Sequence, residues 1–84
     1  MRRCGRSTAK LLEVDELQIQ LGARIRRLRE KRGYTQESFA DACGLHRNFM
    51  GAVERGRQNL TIKSLRTIAK GLGTSMSKLL SGLE

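Results

Sequence analysis

Proline is absent from this 84-residue chain, and cysteine and histidine nearly so, with two copies and one. Each scarcity excludes something. Without proline nothing breaks a helix from within. No stretch alternates apolar and polar residues as a half-buried strand does, so an all-α fold is predicted. Cys4 and Cys43 form no CxxC pair, and with the lone His46 they cannot complete a zinc site. No metal or other cofactor is expected. The cysteines read as a thiol in a terminal tail and a small buried hydrophobe in a helix, because the expected compartment is reducing. His46 with Glu37 and Asp41 on an outer helix face supplies no nucleophile–base–acid cluster, which argues against an enzyme. No apolar run approaches the roughly 18 residues of a membrane-spanning segment, so no membrane partner is expected.

Acidic residues are also few. Eight Asp and Glu face 17 Lys and Arg, a formal net charge of +9. That excess favours polyanionic partners and says nothing about fold. The opening MRRCGRSTAK is positively charged like the start of a signal peptide, but LLEVDELQIQ then brings three acids where an apolar core belongs. A cytoplasmic protein is expected. The length allows one small domain.

Along the chain, residues 1–20 read as a basic N-terminal tail with a possible helical extension, and residues 21–84 as the folded domain. Arg2, Arg3, Arg6 and Lys10 read as a solvated tail in preference to a minor-groove arm. Leu11, Val14, Leu17 and Leu21 keep a helical spacing, which either extends the next helix or forms a short one of its own. A firmer helix is predicted over 21–32. Leu21, Ile25 and Leu28 form its inner stripe, and Gly33 is its left-handed end. Its many arginines would also suit a membrane surface, but the stripe is short and holds no aromatic residue.

Thr35 to Gly56 organises the rest. Thr35 is an N-cap, and Tyr34 with Phe39 forms a hydrophobic staple around it. Cys43-Gly44-Leu45 is a tight turn, and small Ala40 lies where two crossing helices come closest. A third helix runs from His46 to Arg55 with Gly56 after it. Together the two helices have the pattern of a helix-turn-helix, whose second helix can enter the major groove of DNA. Leu60, the cap Thr61 and Leu65 repeat the staple. The helix that follows carries Ile62, Leu65, Ile68, Ala69 and Leu72 as a buried stripe, and Gly71 and Gly73 are read as its end. Ser75 caps a last helix holding Met76, Leu79 and Leu80.

These residues resemble a known family. GARIRRLREKRGYTQESFADACGLHRNFMGAVERGRQNLTIKSLRTIAKGLGTSMSKLL is similar to the Cro/repressor-type, or XRE-type, helix-turn-helix domain. TQESFA, the turn CGL, ERG and NLTIKSLRTIAKGLG are the most diagnostic pieces. Within the family the chain looks most like the controller proteins of restriction–modification systems, through HRNFMGAVERGRQNLTIKSL. The resemblance implies a compact five-helix lambda-repressor-like fold. Three features depart from it: His46 stands where a hydroxyl residue often caps, Thr74 stands where an apolar residue is usual, and about twenty extra residues precede the match.

Site residues follow. Arg47 is the first expected base reader, with guanine its target, and Asn48 the second, with adenine. Asn48 serves nearly as well as a local backbone-bonding residue. Arg47, Asn48 and Gly51 are placed on the exposed face of the third helix, Gly51 and Ala52 keep it thin, and Ala52 can touch a thymine methyl. Phe49 reads as a base-methyl contact or a flank of the core, and the surface role is preferred because Met50 and Val53 already take the buried slots. His46 is assigned to phosphate or to the helix cap, and Arg55, Arg57, Gln58, Asn59 and Lys63 to phosphate. The resemblance implies a phosphate role for Gln36 and an ion pair between Glu54 and Arg29. It also implies a homodimer built from Met76, Leu79, Leu80 and Leu83, with Leu79 the one that also closes the monomer core. The expected function is a dimeric, sequence-specific transcriptional regulator bound to double-stranded DNA at a (pseudo)palindromic operator, with no small-molecule effector. The alternative is an antitoxin-like interaction module that also binds an operator.

Overall fold

A computed structural model describes residues 16–83, and all regular structure among them is helical. The helices are α1 (Glu16–Lys31), α2 (Gln36–Cys43), α3 (Arg47–Glu54), α4 (Ile62–Leu72) and α5 (Met76–Leu80). The expectations for Arg2, Arg3, Cys4, Arg6, Lys10, Leu11 and Val14 lie outside the described residues.

Local chemistry sets most of the boundaries. Thr35 and Ser38 close a capping box: the Ser38 amide donates to Thr35 Oγ1 (3.0 Å) and the Thr35 amide to Ser38 Oγ (2.9 Å). Thr61 and Ser75 accept from the amides of Ser64 and Lys78 in the same way, each satisfying an orphan donor of a first turn. Gly44 and Gly73 end α2 and α4 with positive φ, where a Cβ would be strained.

Two boundaries differ from the sequence reading. α1 begins at Glu16 and not at residue 21, so from Glu16 on the preceding stretch, Leu17 included, extends this helix, one of the two alternatives left open for it. Gly71 does not end α4 but lies inside it. Its missing side chain makes room for α2: a Cβ there would lie 2.8 Å from Cys43 Sγ and 3.1 Å from the Phe39 ring.

The core joins all five helices: Ile25 from α1, Phe39 and Ala40 from α2, Met50 and Val53 from α3, Leu65, Ile68, Ala69 and Leu72 from α4, and Leu79 from α5. Leu21, Leu28, Leu45 and Leu60 pack around it. Ile62, expected in the buried stripe of α4, is instead 73% exposed at the first position of that helix. The Tyr34–Phe39 staple forms, with ring centroids 5.2 Å apart in a tilted arrangement. Gly22 lets α1 touch the backbone of α3 at Val53 and Glu54. The C-terminal end is tied back as well: Arg24 Nη1 donates to the Leu79 carbonyl (3.1 Å) and to that of Ser81. Among the described residues, no helix is long and apolar enough to cross a membrane.

Candidate nucleic-acid interface

α3 leaves the turn with a cap made by the lone histidine. His46 Nδ1 accepts from the Asn48 amide (3.0 Å), so the ring proton sits on Nε2, which points a donor outward. One of the two roles open to His46 is therefore filled, and the other remains available. The inner face of α3 is Met50, Val53 and the Glu54 carboxylate, whose side chain is 3% exposed. At about 100° per residue, Asn48, Ala52 and Arg55 share the outer face. Asn48 and Arg55 are exposed and Ala52 half-buried, with exposed Arg47 beside them.

Two expectations for this helix are corrected. Phe49 is half-buried and packs against the core beside Met50, because the apolar side of α3 is wide enough for both side chains. Gly51 is buried, not exposed. A Cβ on it would lie 3.2 Å from both Gln36 Oε1 and Arg55 Nη1, so the ends of those two side chains roof it.

The ion pair expected between helices one and three forms. Arg29 Nε donates to Glu54 Oε2 (2.7 Å) and Nη2 to Oε1 (3.0 Å), a bidentate geometry, while Nη1 donates to the Tyr34 carbonyl (2.9 Å). The hydrogen bond to Glu54 raises the Arg29 pKa further above its already high ordinary value, against the opposing effect of burial. Gln36 joins the network by donating from Nε2 to Glu54 Oε1 (3.1 Å). One carboxylate thus fixes α1, α2 and α3 relative to each other. Arg29 in turn neutralises this acid on the inner face of α3. The Gln36 bond uses one of its two Nε2 hydrogens.

Following α3, Arg57 is exposed, Gln58 half-buried, and Lys63 exposed in the first turn of α4. Asn59 Oδ1 accepts from Gln18 of α1, which fastens the loop to that helix and leaves the Asn59 amide hydrogens facing out. Gln58 and Asn59 border an apolar groove of about 230 Å³ between Leu17, Leu21, Leu60, Leu65 and Leu80. Of the expected dimer residues, Leu80 is 37% exposed on the rim of that groove and Leu83 is half-buried. Met76 is half-buried against the core. Leu79, at 1% exposure, is used up inside the monomer and has no surface to offer a partner. Cys43 is a free, half-buried thiol whose pKa burial pushes up. No group of His, Cys, Asp and Glu among the described residues is arranged to hold a metal ion.

Sequence reasoning did not find the partner of Arg47. Arg47 Nη1 donates to Glu37 Oε2 (3.2 Å), joining the first turn of α3 to the first turn of α2. The turn geometry brings those two helix starts together, and that was the available signal.

A family model described as helix-turn-helix matches residues 25–79. The control protein C.MunI of a Mycoplasma species is 35% identical over 72 residues, which cover 84% of this chain and 97% of that protein. Control protein C.SmaI of Serratia marcescens is 41% identical over 61 residues, 73% of each chain. Among solved structures, the restriction-modification controller protein C.AhdI from Aeromonas hydrophila superposes with a TM-score of 0.70 at 34% identity, over 73% of this chain and 92% of that one.

Proposed function

The chain belongs to the helix-turn-helix family of DNA-binding transcriptional regulators and is closely related to restriction-modification control proteins, and from that premise we propose that it acts as a homodimer on a pseudo-palindromic operator and controls restriction–modification genes. The observation that carries this reading is the outer face of α3. It presents Arg47, Asn48, Ala52 and Arg55 on a helix held by one buried carboxylate at three points. A rigid support is what base readout requires, since misplaced donors lose their discrimination.

In this reading Arg47 pairs with guanine O6 and N7, Asn48 with adenine, and Ala52 lies against a thymine methyl. Phe49 is no longer a base contact but supports the helix from beneath. Arg55, Arg57 and Lys63 neutralise phosphates, assisted by Gln36, the Nε2–H of His46, Gln58 and the Asn59 amide. A single α3 reads too few base pairs for useful specificity. Two copies related by a two-fold axis place two such helices about 34 Å apart on one face of the duplex. Leu80 and Leu83, with Met76 beneath them, are the residues proposed to join the copies. The protein is proposed to act in the cytoplasm, with signal input set by its own concentration.

Three measurements test the reading. Site selection from random duplexes is expected to return a symmetric sequence with wild type, and Arg47→Ala is expected to lose one base preference in each half-site; an unchanged preferred sequence would remove Arg47 as reader. With about 4–6 phosphate contacts per subunit, the log–log salt slope of a dimer should be on the order of −7 to −11. A flat slope, or a monomer in sedimentation at tens of micromolar, contradicts it.

A further inference from the structure

Glu37 has no place among the roles described so far. Its carboxylate receives the guanidinium of Arg47 at 3.2 Å, and the two side chains are 64% and 61% exposed. We propose that Glu37 is a specificity-determining positioning residue: it holds Arg47 in one orientation for base readout and penalises binding wherever Arg47 finds no guanine. This inference rests on Arg47 being a base reader.

The pair is too exposed to serve the fold, since ion pairs in water add little to stability. Its setting is specific nonetheless. The other acid near α3, Glu54, is already committed to Arg29 and Gln36. Glu37 sits in the first turn of α2, where the helix dipole favours a negative charge. Only Nη1 of Arg47 contacts it, so Nη2 and Nε keep an edge for guanine O6 and N7.

Two physical consequences follow. A long arginine side chain loses rotamer freedom when it docks, and a tether that holds it beforehand removes part of that loss. The carboxylate also repels phosphates and presents only acceptors to the groove. When α3 enters the groove and water leaves, charge interactions strengthen. On guanine, Arg47 remains close enough to neutralise Glu37. On a wrong base, the arginine must either abandon Glu37 or forgo its base contact, and an uncompensated carboxylate lies against DNA. Specificity obtained partly through such a repulsive element is a general device.

The test uses full-length protein with wild type, Glu37→Gln, Arg47→Ala and the double variant, on the selected operator and on duplexes changed at one base pair. Thermal melting of all four is expected to coincide, because both residues are exposed. Glu37→Gln is expected to bind non-specific DNA more tightly, by about threefold to tenfold, and to lose about tenfold in discrimination at the base pair read by Arg47. In the Arg47→Ala background, Glu37→Gln should leave discrimination at that pair unchanged. Should Glu37→Gln keep wild-type discrimination while Arg47→Ala loses it, the positioning role is overturned and the base-reading role stands. Should Arg47→Ala itself keep the wild-type preference, the reading of Arg47 fails first. A change of preference at a different base pair in Glu37→Gln also overturns the proposal, because Glu37 would then touch a base itself.

Discussion

Glu54→Ala is expected to lower the unfolding free energy by about 3–5 kcal/mol, a large part of what a small domain has. The cost comes from what the substitution leaves behind. The Arg29 side chain is 8% exposed and makes two of its three hydrogen bonds with Glu54. Once Glu54 is gone, a buried guanidinium keeps only the Tyr34 carbonyl and a 3.9 Å approach to exposed Glu30. Arginine cannot escape by giving up its proton, so the charge stays and the fold bears the desolvation. Urea denaturation at one fixed protein concentration measures the loss as a lower midpoint with an unchanged slope. Arg26→Ala is the reference, because its pair with Glu30 is 64% and 54% exposed and should cost under about 0.5 kcal/mol. The double variant Arg29→Met, Glu54→Leu should recover most of the loss, as apolar residues of similar volume replace buried ion pairs well. If Glu54→Ala costs no more than Arg26→Ala, the three-way network is not what sets α1, α2 and α3 together.

The parts of the fold that were legible are those governed by neighbours in sequence. Thr35, Thr61 and Ser75 cap because a hydroxyl three residues from an orphan amide reaches it in any helix. Gly44 and Gly73 end helices because each must take a positive φ. Gly71 was misread for the same reason: one residue before a C-terminus, a terminator and a glycine kept small by a neighbouring helix look alike. Only the approach of Phe39 and Cys43 separates them. Of the two places open to Phe49 the core flank is the one taken; two adjacent apolar residues compete for one stripe, and the breadth of that stripe depends on what packs against it. The Arg29–Glu54 pair was reached through family resemblance, since its partners lie on two helices. The Glu37–Arg47 contact and the Asn59–Gln18 bond share that obstacle, and sequence spacing alone does not pair them.

Three glycines inside helices separate local preference from packing most sharply. Replacing any of them by alanine gains up to about 1 kcal/mol of helix propensity. Their surroundings then decide the sign. At Gly51 the new methyl meets the far ends of Gln36 and Arg55 at 3.2 Å, and both side chains can swing aside. Gly51→Ala should therefore be neutral or slightly stabilising. At Gly71 it meets Cys43 Sγ at 2.8 Å and the Phe39 ring at 3.1 and 3.3 Å, inside the core, where repacking costs about 1–3 kcal/mol. Gly71→Ala should destabilise modestly. At Gly22 it lies 2.3 Å from the Val53 carbonyl oxygen and 2.8 Å from that of Glu54, and backbone has no rotamer to change. α1 and α3 must move apart, loosening Ile25 and Val53 and stretching the Arg29–Glu54 pair at once. We expect Gly22→Ala to cost about 3 kcal/mol or more after the propensity gain, at the upper end of overpacking effects. For a domain of this size that is a fall of roughly 12–24 °C in Tm. The order Gly51→Ala, Gly71→Ala, Gly22→Ala in falling midpoint is the checkable result. A wild-type midpoint for Gly22→Ala would mean that α1 does not rest on the α3 backbone, and that the recognition helix is supported by side chains alone.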